Sequence, residues 1–164
     1  MKKTELSHLD EHGNARMVNV SAKPDTARIA IAQGKIVMKP STLQLILEGY
    51  IKKGDVLTVA KVAAIQGAKR ASELIPMCHP ISITGIEIDF FHDKKEASIS
   101  VTATVTSAGK TGVEMEALTG CATALLTIYD MCKAAEKGMT IGPIQLIEKR
   151  GGKSGTWTRQ KDPQ

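Results

Sequence analysis

Aromatic side chains are scarce in this chain of 164 residues: two Phe, two Tyr and one Trp make up 3% of the sequence. The core must therefore be built from Ala, Val, Ile, Leu and Met. RNA recognition on a sheet normally requires exposed aromatic side chains on which bases stack. Phe90 and Phe91 are the available pair, but neighbours in a strand point to opposite faces. This argues against a nucleic-acid partner.

Cysteines and long apolar runs are also few. The three cysteines, Cys78, Cys121 and Cys132, cannot all pair with one another, and they are most simply explained as reduced thiols of a cytoplasmic protein. No CxxC pair and no cage of carboxylates is visible, so we expect no tightly bound metal. No segment approaches the roughly 18 apolar residues of a membrane span, and no apolar region follows the first three residues as in a signal peptide.

Basic residues, in contrast, are in excess. The formal net charge is +5 and the isoelectric point is about 9.1, which favours an anionic partner such as nucleic acid, a nucleotide or a phosphorylated metabolite. Charge alone does not choose among these. Hydrophobic content of 42% suits a folded chain, and its length suits a single domain over 1–164. Within it we expect a flexible N-terminal arm at 1–15 and a mobile basic C-terminal tail at 151–164.

The order of predicted elements indicates the fold class. Residue patterns predict strands at 16–20, 26–38, 81–91, 97–106 and 140–148, a short helix at 41–49, and long helices at 54–73 and 113–137. Apart from the first strand, this is β-α-β-β-α-β with one inserted helix. We therefore predict an α+β, ferredoxin-like split β-α-β sandwich with an antiparallel sheet, two long helices and an inserted short helix.

The last long helix carries acids near its start and Asp-x-x-Lys near its end. Glu116 and Asp130 are 14 residues apart in the sequence, which in a helix is about 21 Å at roughly 1.5 Å rise per residue. One reaction centre in a single chain cannot contain both. Either two ends of one large substrate or two separate subunits are needed to use them together.

Several polar clusters at element ends are open to two interpretations. Lys52 and Lys53 precede a predicted helix start, where backbone N–H groups also favour anions, so they either hold a phosphate or form a solvated basic turn. Asp130 and Lys133, as i, i+3 neighbours, form a surface ion pair by default. If they were enclosed beside a phosphate, they could instead stabilise charge or move protons.

A second group of polar residues lies in LIPMCHP and around GKTGVEME. His79 is either a neutral hydrogen-bond donor that titrates near neutral pH or a structural residue. Glu114 and Glu116 are favoured by a helix N-terminus without any ligand, but they point to different faces and so are expected to differ in role. Gly109-Lys110-Thr111-Gly112 lacks the first glycine of a nucleotide-triphosphatase phosphate loop, which excludes that activity.

Taken together, four motifs resemble one family over about 17–155: LIPMCHP, GKTGVEMEALTGCATALLTIYDMCKA, KKGDVLTVAKVAAIQGAKR and GGKSG. This is the cyclic pyranopterin monophosphate synthase family, accessory protein C of molybdenum cofactor biosynthesis. The resemblance implies a lyase that converts 3′,8-cyclo-7,8-dihydro-GTP to cyclic pyranopterin monophosphate and releases pyrophosphate without a cofactor. It also implies a homohexamer, a trimer of dimers with active sites between subunits.

The resemblance also assigns residues. It implies catalytic roles for Asp130, Lys53 and Lys133, and substrate contacts from Met77, Cys78, His79, Glu114, Met115 and Glu116. As a further hypothesis, Lys69, Arg70 and Lys153 help to hold phosphates. The alternative function is a non-catalytic, basic, ferredoxin-like module that binds a nucleotide or RNA.

Overall fold

In a computed structural model, residues 12 and 14–160 of the chain are described, and they form an antiparallel sheet with helices. The strands are β1 (Thr26–Val37), β2 (Ile83–Asp93), β3 (Ser98–Gly109), β4 (Thr140–Arg150) and β5 (Trp157–Thr158). The helices are α1 (Pro40–Leu47), α2 (Val56–Lys69), α3 (Ala71–Leu74) and α4 (Glu114–Cys132). None of the helices in these residues is long and apolar enough to cross a bilayer.

The strand order is β2-β3-β1-β4-β5, with antiparallel pairing throughout. Helix α2 connects β1 to β2, and α4 connects β3 to β4. The first strand therefore lies between the third and the fourth, which is the arrangement of a ferredoxin-like split β-α-β fold. The predicted α+β class, the antiparallel sheet, the two long helices and the inserted short helix α1 are confirmed.

Small residues let the helices approach each other and the sheet closely. A Cβ on Gly67 of α2 would lie 2.3 Å from the Thr123 hydroxyl of α4, and one on Gly120 would lie 3.1 Å from the Ala64 carbonyl. At Gly34 of β1, a Cβ would lie 2.7 Å from a methyl group of Leu125. With so few aromatic residues, the core is closed by bringing backbones together rather than by filling space with rings.

Three predicted elements differ from the structure. The helix predicted at 54–73 breaks at Arg70 (φ −105°, ψ 12°) into α2 and α3, and no strand forms at 16–20. Helix α4 ends at Cys132 rather than near residue 137. Its end is set by a tertiary contact, since the buried Glu136 carboxylate accepts hydrogen bonds from Lys39 N and the Thr42 hydroxyl, both at 2.8 Å. Sequence pattern alone does not contain that contact.

The two ends of the chain differ from each other. The segment expected to be a mobile tail contains β5, which pairs Trp157 with Lys149 and is extended by a hydrogen bond from Arg159 N to the Ile147 carbonyl at 2.8 Å. Part of that segment thus belongs to the sheet. The expected N-terminal arm lies mostly outside the described residues.

Candidate active site

Lys53, Asp130 and Lys133 form one cluster at the C-terminal end of α4. The Lys53 ammonium donates to the Asp130 carboxylate at 2.7 Å and to the Asp130 carbonyl at 2.9 Å. The Lys133 ammonium donates to the other carboxylate oxygen at 2.6 Å. The default ion pair between Asp130 and Lys133 is present, but a second lysine from another element completes it. We call these three residues the lysine–aspartate cluster.

Local backbone structure places Lys53 beside α4. Gly54 follows it with φ +97°, a conformation that side-chain-bearing residues avoid. Asp55 then caps α2, its carboxylate accepting from the Leu57 and Thr58 amides at 3.1 Å. The sharp turn keeps Lys53 outside the helix. Its ammonium is aimed at a last-turn carbonyl of α4, where the helix dipole favours a cation.

The electrostatics of the cluster are those of an open, paired carboxylate. Hydrogen bonds from Lys133 and Lys53 lower the pKa of Asp130 to about 2. The same interaction with Asp130 raises the pKa of Lys133. The three side chains are 47–56% exposed, so the pairs are strongly screened by water. At neutral pH the cluster presents two ammonium groups held by one carboxylate.

The start of α4 lines a different feature, a cavity of about 250 Å³ that we call the small cavity. All six predicted substrate contacts line it: Met77, Cys78, His79, Glu114, Met115 and Glu116. The LIPMCHP loop forms one wall, the loop before α4 together with its first turn forms a second, and residues 18–23 complete the lining. The structure therefore brings together the six residues for which the family resemblance implies substrate contacts.

Glu116 is the most unusual residue of the small cavity. It is 3% exposed, one carboxyl oxygen accepts from the Cys78 thiol at 3.5 Å, and the other is buried with no hydrogen-bond partner among the described residues. Burial raises the pKa of Glu116. A buried polar atom without a partner is costly unless a ligand pairs with it. Glu114 is only partly buried, so the two acids differ in burial although both line the small cavity.

Cys78 and His79 point to separate partners. Burial, and then the Glu116 carboxylate, raise the pKa of Cys78 to about 11, so it is a thiol rather than a thiolate nucleophile at neutral pH. His79 Nε2 lies 2.7 Å from the Val18 carbonyl. Because a carbonyl only accepts, Nε2 carries a proton and donates, as expected for a hydrogen-bonding His79. The opposite ring nitrogen, Nδ1, is then the acceptor in the neutral ring.

A larger cavity of about 960 Å³ adjoins the small one and shares Lys23, Thr111, Gly112 and Glu114 with it. We call it the large cavity. Its cationic lining residues are Lys23, Arg28, Lys110, Lys149, Arg150 and Lys153. A space this size with so many cations suits a polyanion such as a chain of phosphates.

Most of these cations were not identified from the sequence. Lys153 was predicted to hold phosphate and does line the large cavity, whereas Lys69 and Arg70 line neither cavity. Arg28 and Arg150 come together because antiparallel pairing sets Ile29 of β1 opposite Arg150 of β4. A usable signal was therefore present: basic residues at the start of one strand and at the end of its predicted partner.

The lysine–aspartate cluster and the cavities lie at opposite ends of α4. Glu116 and Asp130 belong to the same uninterrupted helix, so about 21 Å of helix separates them. One chain does not bring the three predicted catalytic residues to the six predicted contacts. Among the described residues, no group of three or more His, Cys, Asp or Glu side chains is placed to hold a metal ion.

The sheet gives little support for the RNA-binding alternative. Phe91 on β2 is 68% exposed, whereas Phe90 packs against the core. The prediction that the two rings face opposite sides is confirmed. A single exposed phenyl ring on that strand does not make the aromatic platform on which successive bases stack.

Comparison with known proteins gives consistent results. A family model described as the MoaC family matches residues 17–152. Cyclic pyranopterin monophosphate synthases of Thermomicrobium roseum and Parvibaculum lavamentivorans are each 55% identical to the chain, over 96% of it and 95% and 98% of their own lengths. That of Heliobacterium modesticaldum is 51% identical over 95% of the chain and 98% of its own length.

Among solved structures, a ferredoxin protease in complex with ferredoxin aligns weakly. It covers 63% of this chain and 10% of its own, with 15% identity and a TM-score of 0.34. This likeness is too weak to bear on fold or function.

Proposed function

The chain belongs to the MoaC family, and from this premise we propose that it converts 3′,8-cyclo-7,8-dihydro-GTP into cyclic pyranopterin monophosphate and pyrophosphate. It would act as a lyase in molybdenum cofactor biosynthesis. The observation that carries the proposal is near-full-length identity of 51–55% to three cyclic pyranopterin monophosphate synthases. The family model matches residues 17–152, a range that contains the residues of the lysine–aspartate cluster.

The two cavities suit the two halves of this substrate. A triphosphate needs several cations in one space, and the large cavity has six. A purine-derived ring has donor and acceptor edges, and the adjoining small cavity offers Glu116, Cys78 and His79. We propose that the triphosphate occupies the large cavity and the ring system the small one. The unpaired buried oxygen of Glu116 supports this, since a ring N–H would give it a partner.

The chemistry needs cations near the phosphate that reacts. Formation of the cyclic phosphate joins a hydroxyl oxygen to the α-phosphorus and breaks its bond to the oxygen bridging to the β-phosphorus. Negative charge then grows on the departing pyrophosphate. We propose that Lys53 and Lys133 stabilise that charge or transfer protons, while Asp130 holds both ammonium groups in place, as its hydrogen bonds to each support.

Since about 21 Å of helix separates Glu116 from Asp130, we propose that a neighbouring subunit supplies the lysine–aspartate cluster to each pair of cavities. A homohexamer built as a trimer of dimers would provide such shared sites. The half-exposed state of the cluster supports this proposal, because the ammonium groups remain accessible to a second chain.

The direct test supplies the purified protein with 3′,8-cyclo-7,8-dihydro-GTP. Pyrophosphate is measured by a coupled assay, and the pterin product by its oxidised fluorescent derivative. We expect equal amounts of both, without an added redox cofactor. A protein that is folded yet releases neither product, while binding RNA in a salt-dependent manner, would favour the non-catalytic alternative and overturn the proposal.

A further inference from the structure

The loop Gly109–Gly112, the GKTG loop, lies where the two cavities meet, and its part in the reaction has so far been limited to Lys110 as one of the six cations of the large cavity. Lys110 is its one cationic residue, and it lines the large cavity. Its ammonium does not stand free, however. It donates to the Ser21 carbonyl at 2.8 Å and to the Lys23 carbonyl at 2.9 Å. Two of its three donors are thus directed to backbone oxygens of a segment 87 to 89 residues away.

That segment, residues 18–23, forms a wall of both cavities. Val18 and Val20 line the small cavity, and Lys23 lines both. The segment belongs to no helix or strand. Local hydrogen bonds shape it into a turn, with Lys23 N donating to the Val20 carbonyl at 3.0 Å and Ser21 N to the Asn19 side chain at 2.9 Å. A turn without sheet pairing needs side-chain contacts to hold its position.

The same segment orients His79. The Val18 carbonyl accepts from His79 Nε2 at 2.7 Å, which fixes the tautomer and leaves Nδ1 as the acceptor in the neutral ring. The GKTG loop, the 18–23 turn and the LIPMCHP loop are therefore linked in series: Lys110 to the Ser21 and Lys23 carbonyls, and Val18 to His79. Movement of the turn would release the imidazole ring.

We propose that Lys110 is a positioning residue: it clamps the 18–23 turn against the cavities and so keeps His79 as an Nε2–H tautomer with Nδ1 available to the substrate ring. The proposal rests on the proposed function for the identity of that substrate. Its rival is direct contact between Lys110 and a substrate phosphate. The two differ in the free protein, because a clamp acts before any substrate binds and a phosphate ligand does not.

The experiment compares Lys110→Met, Lys110→Arg and the control Lys61→Met in the full-length protein. Lys110→Met keeps the length of the side chain and removes its donors. Lys110→Arg keeps a cation that can donate to two carbonyls. Lys61→Met removes one positive charge from the exposed surface of α2. All three should fold, as judged by thermal unfolding and by oligomeric state.

Hydrogen exchange and ¹⁵N NMR are measured without substrate. In Lys110→Met we expect amides of the 18–23 turn to exchange about tenfold faster. Without the charge-assisted hydrogen bonds from Lys110, the turn opens locally more often. The His79 ring signals, assigned by their absence in His79→Gln, should shift from one fixed tautomer towards a mixture. Lys110→Arg and Lys61→Met should keep wild-type exchange and tautomer.

Steady-state kinetics complete the test. Because the displaced group is His79, Lys110→Met should lower kcat about tenfold and change KM less, and Lys110→Arg should restore kcat. Wild-type exchange and a fixed tautomer in Lys110→Met, together with a raised KM, would overturn the clamp in favour of phosphate contact. Unchanged kinetics despite a mobile turn would overturn the positioning role. If the wild-type protein itself releases no product, the proposed function is wrong. Hydrogen exchange and NMR, which need no substrate, still test whether Lys110 holds the 18–23 turn in place.

Discussion

The two ends of α4 contrast in nearly every physical respect. At its start, Glu116 is buried beside two loops, and one of its carboxyl oxygens has no hydrogen-bond partner in the described part of the chain. At its end, Asp130 is half exposed and has a lysine on each carboxylate oxygen. Burial raises the pKa of Glu116, whereas hydrogen bonds from the lysines lower the pKa of Asp130. The Glu116 carboxyl group is enclosed and only partly hydrogen-bonded within the described residues, whereas the Asp130 carboxylate is exposed and hydrogen-bonded at both oxygens.

The contrast indicates what each end requires from elsewhere. An enclosed acid with an unpaired oxygen requires a ligand that enters its cavity. The ion pairs of an exposed cluster gain strength only when a covering surface removes screening by water. Under the proposed function, a substrate would satisfy the first end, and a neighbouring subunit together with a phosphate would cover the second. The proposed shared site meets both requirements at once.

The largest expected effect comes from removing an ammonium group at the open end. Lys53→Ala and Lys133→Ala should each lower kcat by about 10²–10⁴-fold, the usual contribution of a positioned acid, base or charge stabiliser. The thermal unfolding midpoint should hardly change, because exposed ion pairs contribute little to stability. Initial rates of pyrophosphate release and thermal unfolding of the same preparations are the measurements.

Lys137→Ala is the matched control, because Lys137 is also an exposed lysine just beyond α4. Its backbone carbonyl accepts from the Tyr129 hydroxyl at 2.9 Å, a contact that does not involve the Lys137 side chain. Its removal should leave kcat near the wild-type value. Lys53→Ala or Lys133→Ala proteins that are folded and fully active would remove both lysines from the reaction.

Mixing two inactive proteins tests whether the ends of α4 act across subunits. His79→Ala removes a group from the enclosed end, and Lys133→Ala removes one from the open end. If each site takes its two halves from different chains, equal random mixing after dissociation and reassembly should restore about one quarter of wild-type activity. Because neither parent should be active, even this fraction is measured easily.

Two controls make the mixing experiment decisive. His79→Ala mixed with Glu116→Ala, both at the enclosed end, should restore no activity, because no combination gives an intact cavity. Mixing the original pair without dissociation should also restore none. Activity that stays absent in reassembled His79→Ala and Lys133→Ala oligomers would place both halves of the site in one chain.

The sequence predicted an antiparallel sheet, the order of elements along the chain and two long helices, because alternation in strands and small-residue spacing in helices are local properties of the chain. It also predicted the separation along α4, which follows from helix rise alone. It missed the break at Arg70 and the end of α4 at Cys132. The second of these depends on Glu136 reaching α1, a contact between distant segments.

The candidate site divides in the same way. Asp130 with Lys133 was predictable from i, i+3 spacing, whereas Lys53 joins them only through a fold that sets the turn before α2 against α4. The six contacts of the small cavity came from resemblance to a family. The cations of the large cavity come from five separate segments, and among them only Lys153 was expected. Convergence of scattered charges is tertiary information that no local pattern records.

The pH dependence of stability should have opposite signs at the two ends. The pKa of Asp130 is depressed to about 2 in the folded protein, so its stabilising contribution is present above its ordinary pKa of 3.8 and is lost as pH falls towards 2. The pKa of Glu116 is raised above 4.5. The contribution of the protonated Glu116 carboxyl to the stability of the fold is therefore fully present below pH 4.5. It is lost as pH rises through the pKa of Glu116 in the folded protein.

Amide substitutions separate the contributions of Asp130 and Glu116. The free energy of unfolding of each variant is measured by chemical denaturation between pH 3 and pH 8. Relative to wild type, Glu116→Gln should lose less stability as pH rises above about 4.5, because it removes a buried charge. Asp130→Asn should lose less stability as pH falls below about 4. Identical pH profiles for both variants would contradict the distinction between an enclosed and an open carboxyl group.

The smallest expected effect concerns Cys78. Its substitution tests whether the sulfur is a thiol that hydrogen-bonds to Glu116 or a nucleophile. With its pKa near 11, the sulfur is protonated at neutral pH and donates to the Glu116 carboxylate. Cys78→Ser keeps a donor in the same place, so activity should fall by less than about tenfold. In the wild-type protein, alkylation of Cys78 by iodoacetamide, followed by peptide mass spectrometry, should be slow at pH 8 and accelerate as pH approaches 11. A loss of activity in Cys78→Ser as large as that in Lys133→Ala, with rapid alkylation at pH 8, would instead make the enclosed end a site of covalent chemistry.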